Sequence, residues 1–380
     1  MPYKKLSSQL HFLTQASLGG KVDEAICPES AIIQDWDAIY ELSQWHQIGA
    51  LLYQHFERTG ASTGTSECFY KVKEQSLNQA VFNMLFLKKS IAISSDLANH
   101  SVDSFLMKGA LWAWLLYESP GLREFGDIDF FLRKESINDG LKILASHNFF
   151  PDTYRKYLLE NEKVAALYFE TDYQLPLTPT GNEIIQSLEI QWNTTYPRYH
   201  YSFGWNELAN KMMSVEVANT TLEVPSEENQ FLMMIVHHAG VEQWDKLKYM
   251  ADLVRILRKF AGEMDWTYII SVTKQKGFYK IMLESLGLVN LLTGENYLVH
   301  CGQDLEKQYP STKLFQKVVL HWEHTRFKPV TKSWQIFYFN MIYRDRLRDK
   351  FSILFSHIAY LLEWRLIIPK ARWYRKKPNP

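Results

Sequence analysis

Apolar positions along the chain change their period twice. Up to about residue 100 the spacing is helical: Leu77, Val81, Met84 and Leu85 recur at intervals of four, three and one, as on one helix face. Trp36 to Phe56 repeats in the same way until the Gly/Ser/Thr stretch Arg58–Glu67, RTGASTGTSE, breaks it. From Val102 the pattern shortens. VDSFLM is a brief apolar run ending at Lys108-Gly109, ALWAWLLY is helical and stops near Pro120-Gly121, and GDIDFFLR alternates like a strand. Ser136 to His147 predicts another helix, and SLEIQWN, Ser187 to Asn193, another strand. After Pro225 the helical period returns, with Ser226 as N-cap, Glu227 and Glu228 at the positive end of the helix dipole, and Leu247, Met250, Leu253, Val254 and Leu257 on one later face. The pattern predicts an α+β chain: an N-terminal helical region (1–99), a small mixed α/β core with a helix between its first two strands (100–222), and a C-terminal helical domain (223–380) whose basic end, RWYRKKPNP, frays.

Composition narrows the function classes. The 380 residues are 46% hydrophobic and 22% charged, enough to bury a sizeable core and too apolar for a disordered chain. Lys plus Arg and Asp plus Glu both number 42, so the chain does not coat nucleic acid by charge, although a local basic groove stays open. Cys27, Cys68 and Cys301 lie far apart without a CxxC pair, which excludes a disulfide scaffold or cysteine zinc site and suits a reducing cytosol. The start, MPYKKLSSQLHFLTQASLGG, lacks signal-peptide features. No charge-free apolar window reaches the ~20 residues of a membrane helix; the nearest, Phe351–Pro369, is interrupted by His357, Glu363 and Arg365. A soluble, cytoplasmic protein is expected.

The chemistry concentrates at Gly126-Asp127-Ile128-Asp129. On a strand, residues i and i+2 share a side, so both carboxylates project together while Ile128 and Phe130 face the core. Such acids repel unless a cation sits between them, and Mg²⁺ takes one or two carboxylates plus phosphate oxygens. Gly126 removes bulk where a ligand would approach the backbone. Glu189, on the other predicted strand, makes a third carboxylate, and if the strands are neighbours the three could hold two metals ~3.5–4 Å apart for in-line phosphoryl transfer. A D-x-D pair alone also fits a solvated sheet edge. Lys108-Gly109, between strand and helix, offers backbone N–H groups and a point charge to phosphate. Arg123 either clamps a triphosphate or pairs with Glu124 or one of the aspartates.

The run FLMKGALWAWLLYESPGLREFGDIDFFLR resembles the signature of the bacterial uncharacterised nucleotidyltransferase family of the polymerase-beta-like nucleotidyltransferase superfamily. Lys108-Gly109, Tyr117, Pro120, Arg123 and Gly126-Asp127-Ile128-Asp129 occur in the family's order, followed by Leu188-Glu189-Ile190-Gln191-Trp192, His237-His238, Trp244 and Leu247 through Asp252-Leu253. The likeness spans about residues 36 to 280. Gln191 departs from it, since a histidine often stands there. The resemblance implies a polymerase-beta-like core that binds an NTP with Mg²⁺ or Mn²⁺, an acceptor hydroxyl attacking the α-phosphorus, and departure of pyrophosphate. It makes Asp127, Asp129 and Glu189 metal ligands, Glu189 also a base for the acceptor, and Lys108, Gly109, Arg123, Gly126 and His238 candidates on the nucleotide side. Where the superfamily has Gly-Ser this chain has Lys108-Gly109, so the lysine stands in for a serine hydroxyl.

Weaker signals read both ways. His237 and His238 also fit one packed and one surface histidine, and Asp252 is expected to pair with a nearby His or Arg in a structural role. His321-x-x-His324 has metal-compatible spacing without a third ligand. Trp112 and Trp114 fit base stacking or core packing. Phe351 to Lys377 could lie on a membrane surface, but packing of its apolar face on the helical domain is the expected arrangement. The acceptor is expected to be a small molecule or a protein or peptide, not an extended nucleic acid. A catalytically silent nucleotide-binding or scaffold module of the same fold, and a toxin-like or tRNA-modifying transferase, are the alternatives.

Overall fold

The computed structural model describes residues 5–29, 32–33, 35–60, 66–323 and 329–376. Its chain groups into two compact units with interleaved segments: Met1–Leu85, Ala110–Phe125 and Gln230–Tyr343 in one, and Phe86–Gly109, Gly126–Asn229 and Arg344–Pro380 in the other.

The second unit holds the strands. They are β1 (Ser104–Met107), β2 (Ile128–Leu132), β3 (Phe149–Pro151), β4 (Gln174–Pro179), β5 (Leu188–Gln191), β6 (Met212–Val217) and β7 (Thr220–Pro225). The first five form a sheet of order β1-β2-β5-β4-β3, while β6 and β7 form a separate hairpin. Only β2 and β5 run parallel; the other neighbours are antiparallel. The two expected strands that carry the acids, β2 and β5, are thus adjacent, and the expected helix, Gly109–Leu116, lies between β1 and β2 in sequence. All five residues of β2 are buried, as in a central strand covered on both faces. Phe105 on β1 stacks on its cross-strand partner Phe131 with ring centroids 5.1 Å apart. The helix Ile137–Ser146 packs closely enough that a Cβ on Gly140 would lie 2.4 Å from Leu132 Cδ2, so a larger residue there would push the buried Leu132 side chain aside.

Four strands escape the sequence pattern. β4 carries Pro176 and Pro179, which argue against a strand when read linearly. β3 is three residues long, and the β6–β7 hairpin turns through Ala218 and Asn219, both at positive φ.

The first unit is helical. The expected Trp36–Phe56 helix is two, Trp36–His46 and Gly49–Thr59, separated where Gln47 turns left-handed at φ 54°. The apolar face of Leu247–Phe260 is buried as expected. Trp244 and Trp322 are fully buried, and Trp322 Nε1 donates to the Trp244 carbonyl at 2.7 Å. Ser226 accepts from the Asn229 N–H at 3.5 Å, close to the expected cap. The helix that follows, Glu227–Met234, widens into a π-helical stretch, Ile235–Val241, that the pattern does not signal.

Periodicity identifies helices without saying which face is inside. Within the helix Ser66–Asn99 the stripe of Leu77, Val81, Met84 and Leu85 is exposed, whereas Val72, Phe86, Leu87, Ile93 and Leu97 are buried. At the C-terminus the expected packing on the helical domain is replaced by burial of Ile353 and Leu366 within the second unit, while Phe351, Phe355, Leu361 and Leu362 are exposed. The end is helical through Lys376 rather than frayed from Arg372. No single helix among the described residues is long and apolar enough to cross a membrane.

Candidate active site

The sheet register assembles the acidic cluster. Asp129 lies opposite Met107 of β1 and opposite Glu189 of parallel β5. Asp127 stands two residues before Asp129, so the alternation of an extended chain puts all three carboxylates on one side. Oxygens of Asp127, Asp129 and Glu189 lie within 4.8 Å of one another. Asp129 is buried and the other two are half-buried. Burial, and then the neighbouring Asp127 charge, push the Glu189 carboxyl above its ordinary range, against the pull of Lys108. This is a site with more negative charge than its surroundings neutralise.

Lys108 brings an ammonium to the cluster, and Arg155 also pulls the Glu189 carboxyl down. Lys108 follows the last residue of β1 and holds a left-handed conformation, φ 47°, one that favours glycine. From there its Nζ reaches within 3.8 Å of Asp129 Oδ1 and donates to Gln191 Oε1 at 3.3 Å. Gln191 Nε2 in turn donates to Asp129 Oδ1 at 3.0 Å. Gln191, noted from sequence only as a departure, is therefore the side chain that orients Asp129. Its place two residues after Glu189 on the same strand was the available signal. Gly109 opens the helix directly after Lys108. A Cβ on Gly126 would meet nothing within 4 Å, so the space before the acidic pair is open.

The other candidates belong to the first unit, where they form a different cluster. Arg123 forms an ion pair with Asp252. Its Nε donates to Asp252 Oδ1 at 2.9 Å and its Nη2 to Oδ2 at 2.8 Å. Tyr117 Oη donates to Oδ1 at 2.6 Å, and His238 Nε2 lies 3.1 Å from Oδ2. All four residues are buried. Burial opposes the Asp252 charge, but Arg123 and the His238 hydrogen bond hold its carboxyl well below the usual range. Burial lowers His238 to about 4, so the neutral ring gives its Nε2 proton to Asp252. Its Nδ1 then accepts from His237 Nδ1, 3.0 Å away. The expected pairing of Asp252 with a His or Arg thus involves both. Glu124 instead accepts the N–H groups of Gly49 and Ala50 at a helix start. Trp112 is buried with its Nε1 on Gln230 at 2.7 Å, the core alternative.

A cavity of about 620 Å³ in the first unit is lined by Arg58, Arg255, Arg258 and Lys259. Arg58 and Arg258 are already paired with Glu118 and Glu295. Of the other metal suggestion, His324 lies outside the described residues. Among the described residues, Asp127, Asp129 and Glu189 are the one group of three or more potential ligands close enough to hold a metal ion.

The sequence profile of the uncharacterised nucleotidyltransferases matches residues 33–294. Among solved structures, an antigenic nucleotidyltransferase-like protein from Paracoccidioides brasiliensis aligns at 12% identity and TM-score 0.30, over 50% of this chain and 88% of that one. No curated protein matches.

Proposed function

The chain belongs to the uncharacterised nucleotidyltransferase family, and from that premise we propose that it transfers a nucleoside monophosphate from an NTP to a hydroxyl of a small-molecule, protein or peptide acceptor, with Mg²⁺ or Mn²⁺ at its acidic cluster. The observation that carries this reading is the convergence of Asp127, Asp129 and Glu189 within 4.8 Å, with the Lys108 ammonium beside Asp129. The donor set fits the ion: three carboxylates and no thiolate or imidazole suit a hard, oxygen-seeking divalent cation. The raised Glu189 carboxyl fits it as well: burial, and then the Asp127 charge, raise it, and a bound cation would offset both.

Bound there, a divalent ion supplies charge neutralisation to the triphosphate and the departing pyrophosphate. The protein supplies the rest. Asp127 and Asp129 hold the ion from two alternate positions, and Gln191 fixes the Asp129 rotamer. Glu189 accepts the proton of the attacking hydroxyl. The Lys108 ammonium meets phosphate oxygens in place of a serine hydroxyl, and the open space before Gly126 admits the nucleotide to the backbone. The zero net charge favours a compact acceptor over an extended nucleic acid.

The first test is thermal melting against each of the four NTPs with and without Mg²⁺. At 100 Kd a ligand stabilises by ~2.7 kcal/mol, and this metal-dependent shift should vanish in Asp127→Asn/Asp129→Asn. No shift with any NTP would overturn the proposal. The Lys108 ammonium already beside Asp129 favours one alternative, a module that binds nucleotide without turning it over. Pyrophosphate release with a hydroxyl acceptor separates the two.

A further inference from the structure

The two C-terminal helices present an apolar stripe outward, and we propose that they dock the protein flat on the surface of an anionic lipid bilayer. The stripe lies on the helix Leu347–Leu362. At ~100° per residue, Leu347, Phe351, Phe355, Ile358, Leu361 and Leu362 fall within roughly 120° of one another. Their exposure runs from 43% at Ile358 to 72% at Leu347. The same spacing sets Arg348 along one margin of the stripe and Lys350 along the other. The next helix, Trp364–Lys376, continues the exposed surface with Trp364 and Ile368 and then turns basic at Arg372 and Arg375.

The opposite side of each helix is fastened to the second unit, which fixes the stripe outward. Ile353 is fully buried, His200 Nε2 lies 2.7 Å from Ser356 Oγ, and the His357 ring meets Tyr199 at 5.1 Å. On the second helix Leu366 is fully buried and Trp373 packs against Tyr154 and Tyr157. The apolar stripe is therefore no loose end awaiting a core.

Charge selects the occupant. Between Leu347 and Arg375 the chain has six Lys or Arg and two Asp or Glu, within a protein whose net charge is zero. Arg372 and Arg375 have no carboxylate partner among the described residues. An apolar stripe bordered by cations, with a tryptophan at its end, is the arrangement of a helix lying in the headgroup plane: the ring and aliphatic side chains enter the acyl boundary while the basic heads stay among phosphates. Neither helix is long and apolar enough to cross a membrane alone, and the pair bends by 58° at its break, a shape that follows the headgroup plane better than the bilayer normal. A protein partner would need to bring matching acids around a stripe one helix wide, which a bilayer containing anionic lipid provides along its whole surface. These residues are separate from the acidic cluster, so the inference stands independently of the transfer reaction.

The test is flotation of the full chain with vesicles of phosphatidylcholine, with and without phosphatidylglycerol. The wild type should float with the anionic vesicles and be released by salt. Phe355→Glu/Leu361→Glu should weaken that binding by about 100-fold through lost apolar insertion, and Arg372→Gln/Arg375→Gln by about 30-fold. All four positions are exposed, and unchanged melting temperatures would show that the variants fold. Wild type remaining in the bottom fraction with both vesicle types would overturn the proposal. So would an oligomer in solution that Phe355→Glu/Leu361→Glu dissociates without any flotation, since the stripe would then belong to a second copy of the chain.

Discussion

Asp129 and Asp252 are both buried carboxylates beside a cation, yet their surroundings differ in a way that separates chemistry from architecture. Asp252 is saturated. Each of its oxygens has two partners, drawn from Arg123, Tyr117 and His238, which uses the roughly four acceptor sites of a carboxylate. Asp129 has the Lys108 ammonium 3.8 Å away and accepts from Gln191, and it stands with two further acids whose oxygens lie within 4.8 Å. The first arrangement has no capacity for a ligand and holds helices together. In the second, unrelieved negative charge persists until something positive arrives, and perturbed acids of this kind mark functional sites.

If the Asp252 cluster is structural, breaking it should cause the largest stability change. Asp252→Asn leaves Arg123 buried without its counter-charge, and removing one partner of such a pair costs about 3–5 kcal/mol. Urea melts should show the deficit. The pH dependence is fixed by the depressed Asp252 carboxyl: its contribution is complete above the unfolded carboxylate value, ~3.9, and is lost only as pH falls through the folded one. The deficit should therefore be the same at pH 7 as at pH 5. A change below 1 kcal/mol would break the comparison.

The acidic cluster should respond with the opposite sign. In chelator, Glu189→Gln removes one of three repelling acids and should stabilise the protein by about 1–2 kcal/mol, the usual gain when a strained functional site is relaxed. The same substitution should abolish the metal-dependent melting shift with NTP. A metal-free variant less stable than wild type would mean that Glu189 is held by its surroundings rather than strained by them.

How much of this could be read from the sequence depends on how far apart the interacting residues lie. Asp127 and Asp129 are legible because a strand repeats every two residues, and Glu189 because its own short strand is apolar around it. Arg123 is not, since its partner is 129 residues further along and the local acids, Glu124 and the strand pair, are the natural guesses. Gln191 was visible as a departure, but its function appears only when parallel pairing places β5 beside β2. Pro176 and Pro179 hide β4. Amphipathic spacing gives the helices of Leu77–Leu85 and Phe351–Leu362 correctly and is silent about whether the apolar face meets a core or solvent; that depends on packing from distant segments.

Lys108 offers the finest test of the contrast, because its backbone and its ammonium can be separated. Replacing it with alanine or with glycine removes the charge equally, so both variants should lose affinity for NTP to the same extent. They differ only in how well they accept φ 47°. A left-handed conformation costs a residue with a Cβ roughly 1–2 kcal/mol, while glycine returns about 0.4–1 kcal/mol of that through its freer unfolded chain. Lys108→Gly should therefore be more stable than Lys108→Ala by about 0.5–1 kcal/mol in parallel urea melts. Equal stability would mean that the turn after β1 relaxes once the lysine is gone, making the left-handed geometry a consequence of the ammonium's reach toward Asp129. A glycine variant that melts higher and still fails to bind nucleotide would show that the chain accepts backbone strain at this position to keep a cation among the acids.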